Sequence, residues 1–274
     1  MKSGFLTRSV RLALTLGAAV VRYWMLRMRG APALEERARW LQETCVRVLR
    51  SLEIRCDVGG EIPERGLVVA NHLSYLDIAI LSATMPCFFV AKLEIASWPY
   101  FGKAARAGGT LFIDRTRRAS AEKVAQAMGD RLKLPVKVML FPEGTSTNGT
   151  MLRFHTGLFE PAVRAGAPIT PAAIRYVMDN GTPESELCWF GDDALLPHLL
   201  KTLRTAGFHA KLRFGTPRIY ATRRVAAEET FAEVAAMRSE PHQRGESVRC
   251  QAGQAECEVS PLILRDQGRA SLSR

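Results

Sequence analysis

Asn71-His72-Leu73-Ser74-Tyr75-Leu76-Asp77 sets an imidazole and a carboxylate five residues apart. The segment follows an apolar run, Leu67-Val68-Val69-Ala70, and precedes another, Ile78 to Leu81. A polar pair at the end of a buried strand is where α/β proteins place active sites. His72 has the near-neutral side chain of a general base. Asp77, across a turn, can reach its second ring nitrogen and fix the tautomer. The plain alternative is that His72 caps a turn and Asp77 a helix.

Phe141-Pro142-Glu143-Gly144-Thr145-Ser146 also follows an apolar run. Gly144 can take a positive φ and let a ligand approach the backbone. Glu143 and Thr145 offer an acceptor and a donor to a polyol, although Pro-Glu-Gly also suits a simple tight turn. Gly109-Thr110-Leu111-Phe112-Ile113-Asp114-Arg115 ends in an Arg able to clamp an anion with two hydrogen bonds. Its alternative is an ion pair with Asp114. Lys92, in Val90-Ala91-Lys92, is a second candidate anion contact.

These blocks must be positioned by the elements around them. Leu67–Ala70, Cys87–Val90, Thr110–Ile113, Val136–Phe141 and Ile169–Ile174 read as buried strands. Pro168 and Pro171 predict irregularity in the last of them. Helices are expected around Ala121–Leu132, Phe154–Ala165, Leu195–Ala206 and Val225–Met237. The alternation predicts an α/β fold, a sheet flanked by helices, over residues 54–222. Residues 223–274 are expected to hold a last helix and a loose polar tail from Ser239, containing Cys250 and Cys257.

Residues 1–53 predict an N-terminal two-helix, membrane-associating segment. Arg8, Arg11, Thr15, Ala18, Arg22 and Arg29 recur along one helical face, with Leu12, Leu16, Val20 and Trp24 elsewhere. A second helix is expected over Leu34–Leu52. The longest charge-free piece, Leu12 to Val21, is too short for a simple span, which needs about 20 apolar residues. An amphipathic helix at an anionic membrane interface is therefore expected, with its Leu and Trp side chains below the head groups. A cleaved secretory signal is the rival reading.

The 274 residues are 47% hydrophobic and 24% charged, which excludes a disordered or collagen-like chain. The net charge of +11 draws the chain to anionic partners. Residues 1–60 hold eleven Lys and Arg against five Asp and Glu, so the excess concentrates at the N-terminal segment. The six Cys form no C-x-x-C pair, and no zinc spacing is present. Reduced thiols and no metal are expected. No recognition helix or RNA-binding aromatic signature is visible, so nucleic acid is not an expected partner.

Together the blocks resemble the glycerolipid acyltransferase family, particularly the bacterial 1-acylglycerol-3-phosphate acyltransferases. That family carries N-H-x-x-x-x-D, a block ending in Arg, F-P-E-G-T and a Pro-centred strand. Here these are Asn71–Asp77, Gly109–Arg115, Phe141–Thr145 and Ala167–Ala172. The resemblance covers about residues 55–220. It implies transfer of an acyl chain from an acyl carrier protein or coenzyme A thioester to a lysolipid hydroxyl at the membrane. His72 and Asp77 would be catalytic, and Arg115, Lys92, Glu143, Gly144 and Thr145 would hold the acceptor. No cofactor is implied beyond the thioester co-substrate, and the location would be the cytoplasmic face of the inner membrane. The first-ranked acceptor is 1-acyl-sn-glycerol 3-phosphate, giving phosphatidate. Many family members have Arg after P-E-G-T where this chain has Ser146. That departure makes lyso-ornithine lipid the alternative acceptor. A lipid ester hydrolase and a non-catalytic basic membrane binder are the rival classes.

Overall fold

The computed structural model describes residues 4–114, 116–205, 207–240 and 248–249. Two long helices come first, α1 (Phe5–Met28) and α2 (Leu34–Ser51). They lead into β1 (Arg55–Gly59), β2 (Leu67–Ala70), α3 (Leu76–Thr84), β3 (Cys87–Lys92), α4 (Phe101–Ala107) and β4 (Leu111–Ile113). Then follow α5 (Arg118–Leu132), β5 (Lys137–Leu140), α6 (Glu160–Arg164) and β6 (Ile169–Val177). The chain continues through α7 (Leu195–Arg204), β7 (His209–Phe214), α8 (Arg223–Ser239) and β8 (Val248–Arg249).

The strands form one mixed sheet in the order β4-β3-β5-β2-β6-β7-β1-β8. From β4 to β6 all neighbours are parallel. β7 runs antiparallel to β6, and β1 lies parallel to β7. All four residues of β2 are buried, as a central strand covered on both faces requires. One face packs against α1, α2, α3 and α7 through Leu12, Leu49, Ile80 and Leu203. The other packs against α5, α6 and α8 through Met128, Ala162 and Val234. The carboxyl ends of β2, β3, β4 and β5 share one edge, so the chemistry-bearing segments after them gather there.

Several expectations are corrected. β6 is continuous through Pro171. The Pro171 carbonyl accepts from Gly215 N at 2.8 Å, on the β7 side. Its absent N–H would point to that same side, one residue beyond where the β6–β7 ladder begins at Ala172, so no ladder bond is lost. The helix expected over Phe154–Ala165 is a 3-10 turn, Thr156–Phe159, followed by five-residue α6. Pro161 is tolerated only in the first turn of a helix, which sets where α6 can begin. Strands β1 and β7 were not anticipated. The boundaries at 53 and 222 do not separate packed bodies. Leu49 and Leu52 belong to the same core as Ile80, and Ala226 and Val234 to the same core as Leu67.

The Arg stripe of α1 is also corrected. Arg8 is 3% exposed. Its Nε donates to Leu203 O at 2.9 Å, its Nη2 to Arg204 O at 3.3 Å, and it pairs with Glu53 at 3.4 Å. It satisfies the open carbonyls at the α7 C-terminus, where a cation is favoured. Thr15 bonds Ser51 at 2.9 Å, and Arg22 pairs with Glu43. Leu12 is in the core and Leu16 packs against it, rather than facing lipid. Arg8, Thr15 and Arg22 of the stripe thus face the protein, whereas Arg11, Ala18 and Arg29 are exposed. The open face carries Leu6, Val10, Leu14, Val21, Trp24 and Met28. α1 is long and apolar enough to cross a membrane by length and composition. The tail from 241 onward, apart from Val248–Arg249, lies outside the described residues.

Candidate active site

β2 ends at Ala70 and delivers Asn71 and His72 to the sheet edge. Asn71 staples this end to β6: its Nδ2 donates to Ile174 O at 3.1 Å, and its Oδ1 accepts from Ile174 N at 2.8 Å. The turn into α3 then folds Asp77 back over the strand end. Asp77 Oδ2 accepts from Leu73 N at 2.6 Å and Ser74 N at 3.0 Å, and lies 2.8 Å from His72 Nδ1. An oxygen that already accepts two backbone N–H groups is an acceptor toward the ring as well. Nδ1 therefore carries the proton and Nε2 holds the free lone pair. Among the described residues no group bonds Nε2. Asp77 is fully buried in the first turn of α3, where the helix dipole favours a negative charge. Its Oδ1 accepts from the Tyr176 hydroxyl of β6. Phe141 stacks on the imidazole with centroids 3.9 Å apart and planes 10° from parallel.

The Pro-Glu-Gly-Thr block meets the same histidine from β5. Glu143 was expected to offer its carboxylate to a polyol, and the structure assigns it another task. It is buried, with Oε1 accepting from His72 N at 2.8 Å and Oε2 from Leu152 N at 2.8 Å. Burial pushes its carboxyl above the usual range, partly countered by those two N–H groups and by His72 and Arg238. Gly144 adopts φ 75°, and its N–H closes a turn onto Phe141 O at 3.0 Å. Thr147 N donates to His72 O at 2.9 Å, so this loop lies along the His72–Asp77 turn. Thr145 is exposed, and among the described residues no group accepts from its N–H or that of Ser146.

Asp77 and Glu143 thus each bond His72, and Gly144 and Thr145 follow Glu143 in the same loop. Lys92 ends β3 on the same edge, exposed and without contact to His72. Arg115 lies outside the described residues. Asp114, its expected ion-pair alternative, is engaged by Thr116 N at 3.0 Å and by Arg117 at 3.4 Å. Ser74 is buried and its Oγ accepts from Leu76 N at 3.3 Å, a local bond within the turn that enters α3. An apolar cavity of about 430 Å³ lies under α5 on the opposite sheet face, lined among others by Val124, Met128, Leu140 and His155. His155 N donates to Pro142 O at 2.9 Å.

The residue-level reading missed Tyr176, Arg238 and Phe141. Arg238 of α8 donates to Ile174 O, to Gly149 O at 3.0 Å and to Glu184 Oε2 at 2.7 Å. It ties α8 to β6 and to the loop after β5. A tyrosine on the buried face of a strand was the one available signal, since a buried O–H needs an acceptor.

A sequence pattern described as acyltransferase matches residues 54–175. A lyso-ornithine lipid O-acyltransferase from Pseudomonas aeruginosa is 39% identical over 207 residues, covering 73% of this chain and 79% of that one. The chain belongs to the acyltransferase family. A 1-acyl-sn-glycerol-3-phosphate acyltransferase from Neisseria meningitidis is 40% identical to it over 156 residues, 56% of this acyltransferase and 60% of that one. The crystal structure of a 1-acyl-sn-glycerophosphate acyltransferase from Thermotoga maritima superposes with a TM-score of 0.61 at 18% identity. It covers 87% of this acyltransferase and 96% of that chain, so the fold is shared along nearly its whole length.

Proposed function

We propose that this acyltransferase moves an acyl chain from a thioester, carried by acyl carrier protein or coenzyme A, to the free hydroxyl of a lysolipid. The observation that carries the reading is the unpartnered Nε2 of an imidazole whose Nδ1 is bonded to buried Asp77. His72 takes the proton of the acceptor hydroxyl as its oxygen attacks the thioester carbonyl. Asp77 orients the ring and stabilises the imidazolium, and the thiolate leaves with that proton. General-base catalysis contributes about 10²–10⁴-fold. The N–H groups of Thr145 and Ser146, which no described residue claims, are candidate donors for the oxyanion. The cavity under α5 offers apolar space for part of an acyl chain.

Two acceptors follow. The lyso-ornithine lipid is favoured by Ser146 in the place of an Arg after Pro-Glu-Gly-Thr. It is favoured also by the longer match to the Pseudomonas relative. The phosphate monoester of 1-acyl-sn-glycerol 3-phosphate is supported by the Neisseria relative and by Lys92 at the strand edge. Both lipids reside in a membrane, and we place the enzyme on the cytoplasmic surface of one, its acyl donors being made in that compartment. The open face of α1 would enter the acyl layer. The groove between α1 and α2, lined by Arg11, Arg47 and Arg50, would meet anionic head groups.

The test is product analysis with purified full-length protein, both lysolipids and both thioester classes. Acylated lysolipid is expected, with His72→Ala losing at least about a hundredfold. Thioester consumption without acylated product would identify a hydrolase. A His72→Ala protein within about threefold of wild type would remove His72 as the base.

A further inference from the structure

Asp77 has two oxygens and an uneven set of donors. Oδ2 serves Leu73 N, Ser74 N and the His72 ring, whereas Oδ1 has the Tyr176 hydroxyl. The carboxylate is fully buried, so the phenol stands where water would otherwise be needed. Tyr176 is itself fixed. Its ring packs against Phe208 at 4.8 Å, and its N–H donates to Glu184 Oε1 at 2.7 Å.

We propose that Tyr176 is a positioning residue for acyl transfer, one whose hydroxyl sets through Asp77 how strongly His72 attracts a proton. The proposal rests on the reading of His72 as the base. A hydrogen bond donated to a carboxylate draws part of its charge away from its other partners. The phenol therefore limits the polarisation of the imidazole and leaves Nε2 unprotonated over a wider range of pH. Tyr176 transfers no proton: burial and the Asp77 charge push its phenol well above the ordinary range. Glu143 faces His72 from the loop after β5, Glu184 and Cys188 face Tyr176 from the segment after β6, and Arg238 reaches both sides from α8. None of these bonds Asp77, so Tyr176 is the group whose removal acts on it directly.

Tyr176→Phe removes one O–H and keeps the ring. With it gone, the full carboxylate charge faces the imidazole and Oδ1 loses its donor. Both changes favour a protonated pair. The acidic limb of kcat/KM is expected to move up by about one pH unit. KM for both substrates should hold, because the buried phenol touches neither. NMR titration of the His72 ring should move the same way without any substrate present. Replacing Tyr176 by 3-fluorotyrosine strengthens the donor and should move both readouts to lower pH. A purely structural phenol would lower the plateau in Tyr176→Phe and leave both midpoints in place, and that result overturns the proposal. If Tyr176→Phe does not fold, the fluorotyrosine protein decides alone by its titration. The two readings fail separately. An active His72→Ala protein would remove the base while leaving the NMR coupling to stand, and unmoved midpoints beside an inactive His72→Ala would remove only Tyr176.

Discussion

Glu143 shows how a residue of an evident motif can be engaged by the backbone around it. Its two oxygens hold two backbone N–H groups, and one of those belongs to His72. Glu143→Gln keeps the shape but turns one oxygen into an NH₂ that faces a donor. A hydrogen bond to a charged group is worth about 1.5–3 kcal/mol. If most of that is felt in the placement of Nε2, kcat should fall about tenfold or more with both KM values nearly unchanged. Steady-state kinetics decide it: a rise confined to the acceptor KM would return Glu143 to head-group binding. The His72–Asp77 turn was legible because its contacts are local, with Asp77 reaching back five residues to His72 and three to Ser74. Glu143 was visible as a residue but its backbone partners were not, since nothing in a strand-end turn declares which N–H it will meet. Tyr176 lies 99 residues from Asp77, and that pairing depends on the β2–β6 register.

At the scale of elements, α7 binds the structure together at both ends and carries a titratable liability. Its C-terminal carbonyls receive Arg8, and its His198 lies buried with Nδ1 3.1 Å from the Tyr75 hydroxyl. Desolvation holds the His198 imidazole below its ordinary value. A lowered folded-state pKa means that the folded protein binds fewer protons than the unfolded chain. The neutral ring's contribution to stability is therefore complete above about pH 6.5, the unfolded value, and is lost as pH falls below it. Thermal unfolding of wild type should weaken between pH 7.5 and about pH 5.5, and His198→Asn should show a shallower fall. Parallel slopes for the two proteins would show that His198 titrates alike in both states. The five buried strands were readable because apolar runs bounded by turn residues need no partner to be recognised. β7 carries its buried residues, Ala210, Leu212 and Phe214, in alternation, and Lys211 and Arg213 between them masked it. β1 has one buried position in five, so its sequence offers little pattern at all.

Among the described residues α1 presents an extended apolar surface, and its periodicity placed Val20 and Trp24 outward as they are, but turned Arg8 outward and Leu12 and Leu16 toward lipid where the structure packs them inward. Arg8, Leu12, Thr15 and Ala19 share the inward face, which the carbonyls of α7 and the core claim. A charged stripe is read as solvated because isolated cations rarely find buried acceptors. Here a helix C-terminus supplies them. The consequence is a division of labour that vesicle flotation can separate. Leu14→Asp with Trp24→Asp alters two exposed positions, with Trp24 61% exposed. It should abolish flotation on neutral and anionic vesicles while leaving the fold intact. Arg11→Glu with Arg47→Glu should weaken binding to anionic vesicles alone, and the loss should shrink at high salt, where surface attraction is screened within about 3 Å at 1 M. Arg8→Ala should do neither. It strips a buried set of charge-assisted bonds and should lower the unfolding free energy by about 1.5–3 kcal/mol. Full flotation of the Leu14/Trp24 variant would move the membrane contact off α1. A selective loss of anionic binding in Arg8→Ala would mean that Arg8 meets lipid after all, and that the α1–α7 contact opens at the membrane.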